Sequence, residues 1–207
     1  MKKSSLINRF FGKVKSALSA DEEEQLLTAD SEQKNEHFDN SQPLDVNFAK
    51  QFTQRGGSFI YCADQQAVNA YIAQLMEENQ WENCYCDNSE LKKVLDTLQL
   101  KYQDNKLKEA NVIVSNCEYL IAFNGSVMIS SKQSNNKKID ILPENHIIVA
   151  YTSQIVKNLS EGLRGINIKY KSNIPSLITT IRNECERNKQ THSGPKNLYL
   201  LLIEDYQ

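Results

Sequence analysis

The sequence predicts an α/β fold in which a mostly parallel sheet is flanked by helices. Short apolar segments typical of buried strands recur along residues 46–207, and segments with apolar residues at helical spacing separate several of them. Strands that are apolar throughout are typical of parallel sheets with both faces covered. A chain of 207 residues is long enough for one domain with a hydrophobic core, plus a tail.

The N-terminal part of the chain differs in composition from the predicted domain. Residues 1–18 contain five basic and no acidic residues, and their apolar residues recur at helical spacing, which predicts an amphipathic basic helix. Residues 19–45 contain nine acidic residues, one lysine and few apolar residues, which predicts a flexible linker. We expect the helix to dock on its own domain or on a second copy of the chain. Contact with an anionic membrane surface is the alternative.

The first half of the domain is predicted to alternate strands with helices. Ser58–Cys62 has the composition of a short buried strand, and Asp64 is a suitable N-cap for the amphipathic helix that follows. Asn83–Cys86 is a second predicted strand. Either Asp87 or Ser89 is expected to begin the next helix.

A β-hairpin is predicted after the strand Val112–Ser115. Its strands are Tyr119–Phe123 and Ser126–Ser130, joined by Asn124-Gly125. Asn-Gly favours a two-residue type I′ turn, because both residues tolerate positive φ. The hairpin is the expected antiparallel part of the fold.

The last part of the domain is predicted to contain two strands and two helices. Ile147–Tyr151 and Leu198–Ile203 are apolar runs of strand length. Between them, a helix is expected over residues 153–162, ended by Gly162. A further helix is expected to begin near Pro175.

Composition excludes several classes of protein. The net charge of −2 and the pI near 6.0 give no support for a nucleic-acid partner. No apolar run approaches the roughly 20 residues that span a bilayer. The N-terminus lacks the apolar core of a secretory signal, and five cysteines are an odd number without framework spacing. We therefore predict a cytoplasmic protein.

Cys84 and Cys86 are the only residues whose spacing suggests a metal. Two residues apart in a strand, their side chains lie on the same face. A structural zinc needs about four ligands, and neither a histidine nor a second cysteine pair lies nearby in sequence. We therefore interpret both as buried core residues and predict no metal and no cofactor.

Four sequence motifs occur in an order that resembles one family. They are C-E-x-L-I-A (117–122), N-G-S-V-M-I-S-S (124–131), L-P-x-x-H-I (142–147) and G-P-x-x-L (194–198). The arrangement resembles the LUD domain family, specifically its LutC/YkgG-like lactate utilisation proteins. The resemblance implies a NagB/RpiA/CoA-transferase-like fold. Proteins similar to that fold bind phosphorylated or CoA-linked ligands at the carboxyl ends of the strands.

Two departures from the family pattern suggest a degenerate site. Family members usually carry a charged residue and a threonine where this chain has Phe123 and Asn124. They also usually carry the segment S-G-P-S-R-T-A-D-I-E, which is absent from residues 179–193 here. We therefore expect a pocket that is less polar than in family members, near the hairpin and His146.

His146 is the remaining catalytic candidate, because an imidazole titrates near neutral pH and can act as an acid, a base or a donor. The alternative is a structural histidine. Asn124, Gly125 and Ser126, together with His146, are the candidate ligand-binding residues, since successive N–H groups of a turn can hold an anion. A plain hairpin turn is the alternative.

The resemblance implies an accessory or ligand-binding protein linked to lactate utilisation. The partners it implies are iron–sulfur lactate-oxidation subunits, and a second copy of the chain is a further expected partner. One alternative is a transferase or ligase, similar to CoA transferases or 5-formyltetrahydrofolate cyclo-ligase, acting on a CoA-linked or phosphorylated molecule. Another is a structural interaction protein. The sequence identifies neither the ligand nor the oligomeric state, and it leaves open whether the protein is an enzyme.

Overall fold

The computed structural model describes residues 38–134, 136–137, 141–183 and 195–205. In chain order the elements are α1 Leu44–Gln54, β1 Ser58–Cys62, α2 Gln65–Glu78, β2 Cys84–Tyr85, α3 Ser89–Thr97, β3 Tyr102–Gln103, a 3-10 turn Leu107–Glu109, β4 Val112–Asn116, β5 Tyr119–Ile121, β6 Ser126–Ser130, β7 Asn145–Tyr151, a 3-10 turn Thr152–Gln154, β8 Ile155–Val156, α4 Leu159–Tyr170, β9 Ile178–Ile181 and β10 Asn197–Ile203. The predicted N-terminal helix and most of the predicted linker lie outside these residues. Every described helix is too short or too polar to cross a lipid bilayer.

The main sheet has six strands in the order β1-β10-β7-β4-β2-β3, and every neighbouring pair is parallel. The predicted parallel sheet is therefore confirmed, including the strands Ser58–Cys62 and Leu198–Ile203. The strands of this sheet are apolar because both of its faces are buried. Along β7, Ile147 and Val149 belong to one apolar cluster, whereas Ile148 and Ala150 belong to another.

Helices cover one face of the main sheet. Apolar residues of α2 and α3, such as Ile72 and Leu95, are fully buried in the cluster on this face. The Asp64 side chain caps α2 by accepting the Ala67 N–H at 2.8 Å, as predicted. The cap of α3 is Asn88 rather than Asp87 or Ser89, because its side chain accepts the N–H groups of the second and third helical residues.

A second sheet takes part in covering the opposite face. It has the order β8-β5-β6-β9, in which β5 and β6 form the hairpin and β9 pairs antiparallel with β6. Residues such as Leu120 and Val127 share a buried cluster with α1 and the main sheet. Helix α4 packs on the far side, against Ile121 and Met128. The sequence did not predict that the hairpin belongs to a separate sheet.

The hairpin itself was predicted correctly, but its type I′ turn was not. Ile121 pairs with Ser126, so four residues connect the strands. Gly125 has φ +67°, whereas Asn124 has no positive φ. A Cβ on Gly125 would lie 2.6 Å from the Gln51 backbone carbon. The loop therefore packs closely against α1. Glycine is required at position 125 both because a side chain would collide with α1 and because φ is positive there.

The predictions of two helices in the last part of the domain were wrong, the first in its bounds and the second in its type. Ile155–Val156 is a strand, and the helix begins only after the N-cap Asn158 and continues through Gly162. A Cβ on Gly162 would lie 2.8 Å from Met128 Cε, so glycine permits close packing rather than ending the helix. The segment after Pro175 forms β9, where branched side chains favour a strand.

Candidate functional site

A cleft of about 250 Å³ opens at the carboxyl ends of β2 and β4, and we call it the β2–β4 cleft. The residues around it are Tyr85, Asp87, Asn88, Ser89, Ile113, Val114, Ser115, Asn116, Lys132 and Gln133. This is the edge where ligands bind in open α/β sheets, because loops and helix N-termini converge there.

Three segments bring polar groups to the cleft. The loop after β2 contributes Asp87 and the first turn of α3, and β4 contributes Ser115. The turn after β6 contributes Lys132 and Gln133. That turn is held by its own backbone, since the Gln133 N–H donates to the carbonyl of Ser130 at 3.0 Å.

Charged groups of both signs lie at the cleft. The Lys132 ammonium lies 5.2 Å from the centre of the Tyr170 ring, which is a cation–π distance, and no acid among the described residues forms an ion pair with it. Asp87 lies 3.9 Å from Lys92, which forms a closer pair with Asp104 at 3.0 Å. Lys132 is therefore the cation of the lining, and Asp87 is its acid.

Behind Gln133 lies a buried carboxylate with several donors, which we call the Glu118 network: Glu118, Ser130, Gln133, Lys169 and Tyr170. Glu118 Oε1 accepts hydrogen bonds from Ser130 Oγ (2.8 Å), Tyr170 Oη (2.9 Å) and Gln133 Nε2 (3.2 Å). Its Oε2 accepts from Lys169 Nζ at 2.8 Å. The side chain of Glu118 has no exposed surface, so these donors replace water entirely.

The Glu118 network favours the ionised carboxylate. Burial acts to raise the pKa of Glu118, but donation from Lys169, Ser130 and Tyr170 holds that pKa below its usual value. Burial acts to lower the pKa of Lys169, yet its bond to Glu118 keeps this pKa above the usual range. Both partners therefore remain charged at neutral pH.

His146 lies near the amino end of β7, buried between the sheets, rather than at the carboxyl end where the cleft opens. Its Nε2 is 2.7 Å from Ser115 Oγ, which also donates to the Asn116 carbonyl at 2.9 Å. When the hydroxyl proton is used in that way, Nε2 must be the donor to Ser115. His146 Nδ1 is buried and has no hydrogen-bond partner among the described residues.

The surroundings of His146 conflict with the predicted role in acid–base catalysis. Burial lowers the pKa of His146 to about 3, because removal from water disfavours the charged imidazolium. The imidazole is then neutral at physiological pH and a weak base. His146 reaches the β2–β4 cleft only through Ser115.

The predicted anion-binding turn is not arranged as expected. The Gly125 N–H donates to the Ile121 carbonyl at 2.9 Å, and the Ser126 N–H donates to the Asn124 side chain at 3.1 Å. These N–H groups are therefore satisfied within the turn. Asn124 and Gly125 lie in the loop between β5 and β6, and Ser126 begins β6. None of the three lines the β2–β4 cleft, so the structure does not bring them together with His146 there.

Phe123, which replaces a charged residue of the family pattern, packs among apolar side chains. Its ring centre lies 5.6 Å from that of Phe38. In this chain, the aromatic ring at position 123 therefore contributes to apolar packing. The lining of the β2–β4 cleft is mainly polar and does not include Phe123, so the pocket expected near the hairpin, less polar than in family members, stays a prediction.

The Cys84 and Cys86 thiols are buried in the core between the main sheet and its helices. Burial raises the pKa of Cys84 to about 12 and that of Cys86 to about 11, which disfavours the thiolates that metals require. Among the described residues, no group of three or more histidine, cysteine or acidic side chains is placed to hold a metal.

Sequence reasoning missed most residues of this site. Glu118 belongs to the motif C-E-x-L-I-A, but it was not assigned a role. Asp87 and Asn88 follow a predicted strand and precede a predicted helix, a position that is itself a signal for ligand contact. Lys132 and Gln133 follow β6 in a polar turn, where nothing in the local sequence indicates a cleft.

Comparisons with known proteins agree with this architecture. A crystal structure of a DUF162 family protein from Deinococcus radiodurans is similar, with a TM-score of 0.60 and 15% sequence identity. The similarity covers 77% of this chain and 96% of that one, and at this identity it shows the fold alone. No protein of curated function matches the sequence. The family model of the LUD domain matches residues 46–203, so the chain belongs to the LUD domain family.

Proposed function

We propose that this protein is an accessory, ligand-binding LUD-domain protein linked to lactate utilisation, and that its β2–β4 cleft holds a small anionic molecule. One observation carries the proposal. The cation Lys132 and the first turn of α3 lie on the same cleft, at the carboxyl ends of the parallel strands. The family's association with lactate utilisation suggests a small carboxylate as the first ligand to test.

The electrostatics of the cleft support an anion. The N-terminus of a helix carries a partial positive charge, and Ser89, the first residue of α3, lines the cleft, although the Asn88 side chain already accepts the N–H groups of the next two residues. Lys132 adds a full positive charge on the facing turn. Asp87 opposes an anion, but the neighbouring Lys92 offsets part of its charge. An anion therefore gains most at the end of the cleft nearest Lys132.

One observation supports the alternative that the protein is a transferase or a ligase. Ser115 and His146 lie at the distance of a nucleophile and its base, and Ser115 lines the cleft. However, Nδ1 of His146 has no described acceptor that would stabilise an imidazolium, and burial lowers the pKa of His146 to about 3. Activation of Ser115 would therefore be weak, which is why we favour binding over catalysis.

We also propose that the protein is cytoplasmic and works with iron–sulfur lactate-oxidation subunits or as a homo-oligomer. The association of the family with lactate utilisation supports this proposal. Co-purification of tagged full-length protein under reducing conditions, with size measured by light scattering, tests both partners.

The ligand proposal is tested by isothermal titration calorimetry on the full chain with L-lactate and its neutral analogue lactamide. We expect lactate to bind more tightly, because Lys132 interacts with a charge only in lactate. Lys132→Met should weaken lactate binding by about tenfold to a hundredfold, since a hydrogen bond to a charged group contributes about 1.5–3 kcal/mol.

Lys196→Met is the matched control. Lys196 is an exposed lysine paired with Glu144 near the amino ends of β7 and β10, at the opposite edge of the sheet from the cleft. Its loss should leave lactate binding unchanged. Equal affinity for lactate and lactamide, or an equal loss in both variants, would contradict the proposal.

A further inference from the structure

The side-chain amide of Gln133 has an orientation that its neighbours impose. Its Oε1 accepts the backbone N–H of Ser130 at 2.8 Å, and a backbone N–H is only a donor. Its Nε2 donates to Glu118 Oε1 at 3.2 Å, and an ionised carboxylate is only an acceptor. A flipped amide would place donor against donor at Ser130 and acceptor against acceptor at Glu118.

This orientation determines what Gln133 presents to the cleft. Its carbonyl oxygen also lies 3.0 Å from Ser130 Oγ, so it is occupied on the Ser130 side. Hydrogen bonds to the described residues use one of the two Nε2 hydrogens of Gln133, and one N–H is left. Because Gln133 lines the cleft, that N–H is the polar group it can offer to a ligand.

Gln133 also differs from Lys132 in rigidity. Lys132 is exposed, and its long side chain attracts an anion without fixing its position. Gln133 has 8% of its surface exposed and is held at both ends of its amide. A group that is ordered before binding loses little conformational freedom when the ligand arrives.

We infer that Gln133 is the specificity-determining donor of the β2–β4 cleft, which selects carboxylate or phosphate oxygens over neutral groups, and that Glu118 is the positioning residue that orients it. The inference rests on the proposed function, because it assumes an anion in this cleft. Glu118 acts through Gln133 and need not touch the ligand. Its negative charge is what requires a donor on the buried side of the amide.

The test measures discrimination, which a loss of cleft shape alone would not change. Full-length wild type and Gln133→Met are titrated with L-lactate, inorganic phosphate and lactamide. Gln133→Met should lower the ratio of lactate to lactamide affinity roughly fivefold to tenfold, because a bond to a charged acceptor is stronger than one to a neutral acceptor. Lactate and phosphate titrations separate a carboxylate ligand from a phosphate ligand.

Glu118→Gln is the second variant, and it decides the matter if Gln133→Met fails to fold. It keeps the shape of Glu118 but removes the charge, so the Gln133 amide keeps its contact with the Ser130 N–H and loses the charged acceptor that holds its Nε2. The lactate-to-lactamide ratio should fall in this variant as well. Gln65→Met, an exposed glutamine on α2 that bonds Asn69, is the matched control and should keep the wild-type ratio.

Two results overturn the inference, and they are distinguishable. If Lys132→Met weakens lactate binding while Gln133→Met and Glu118→Gln keep the wild-type ratio, the proposed function stands and the role of Gln133 is wrong. If wild type binds neither lactate nor phosphate, the proposed function and the inference both fail.

Discussion

Glu118 and His146 are both buried, ionisable and in contact with one residue of the cleft lining, but their surroundings differ. Glu118 receives four hydrogen bonds, including one from a lysine. His146 has one partner, Ser115, and its second nitrogen has none among the described residues. Burial of comparable extent therefore preserves a charge at the first position and removes it at the second.

The difference shows that partners, rather than depth, decide the charge of a buried group in this protein. A buried imidazole whose one described partner is a hydroxyl is neutral at physiological pH, so His146 contributes shape and one hydrogen bond. A fully paired carboxylate orients its donors and thereby extends its influence to the cleft. The four experiments that follow test this contrast.

Glu118→Leu should have the largest effect. Its removal leaves Ser130, Gln133 and Tyr170 without their acceptor, and each unsatisfied buried group typically costs about 1–3 kcal/mol, whereas the half-exposed Lys169 can be solvated by water. We expect the midpoint of urea unfolding to fall accordingly, with an unchanged m-value. Glu144→Leu, at an exposed pair, should cost less than about 1 kcal/mol. Similar losses in the two variants would show that the network contributes little.

The stability of the wild type should fall between pH 6.5 and 4.5 by roughly 2 kcal/mol. Unfolded His146 takes up a proton below its ordinary pKa near 6.5, whereas native His146 does so only near pH 3. The unfolded state therefore binds more protons in this window, and stability decreases as pH falls, with a slope of up to about 1.4 kcal/mol per pH unit. Urea unfolding at several pH values measures the slope.

His146→Leu should lose most of that slope, whereas a variant with His37 and His192 replaced by glutamine should keep it. Glu118 contributes separately, because its pKa is lowered in the native state. Its stabilisation is present above its ordinary value of 4.5 and is lost as the pH falls through the native pKa. A slope that persists above pH 4.5 without His146 would refute the assignment.

Tyr170→Phe should cost about 1–2 kcal/mol, since it removes one of the hydrogen bonds to a charged acceptor and leaves the others in place. The ring stays, and so does its contact with Lys132. Tyr71→Phe, on α2 away from the network, is the control and should change stability by less than about 0.5 kcal/mol. An equal effect in both would argue against cooperation around Glu118.

At pH 7.5, His146→Leu should have the smallest effect, within about 1 kcal/mol of the wild type. It removes a single hydrogen bond, but it also removes a buried nitrogen that lacks a partner. Ser115 retains its bond to the Asn116 carbonyl. A loss above about 3 kcal/mol at this pH would mean that Nδ1 has a partner we have not identified, such as an internal water.

The main sheet was predictable because its strands are unambiguous in sequence. The runs at β4, β7 and β10 are mostly apolar and too short for core helices. The second sheet was not predictable, since its strands are short and the spacing of their apolar residues fits a helix as well as a strand. Ile178 and Ile181 are three residues apart, which fits a helix face, and only the branched Thr179 and Thr180 between them indicate a strand.

The candidate site was less predictable than the fold, for a physical reason. The donors to Glu118 include Lys169 and Tyr170, which are 51 and 52 residues away in sequence. No local pattern reveals such contacts. His146 illustrates the same limit, because its chemistry depends on burial and partners that the sequence motif does not encode.

The position of β10 has a consequence for how the chain folds. This strand lies between β1 and β7, although most of the domain separates β1 from β10 in sequence. Until residues 197–203 arrive, β1 and β7 each expose an unpaired edge, and such edges are sites of aggregation. Pairing over so long a separation also slows folding. The protein should therefore depend on chaperones during synthesis more than its size suggests, and mutations that weaken β10 should reduce soluble yield before they reduce the stability of the folded protein.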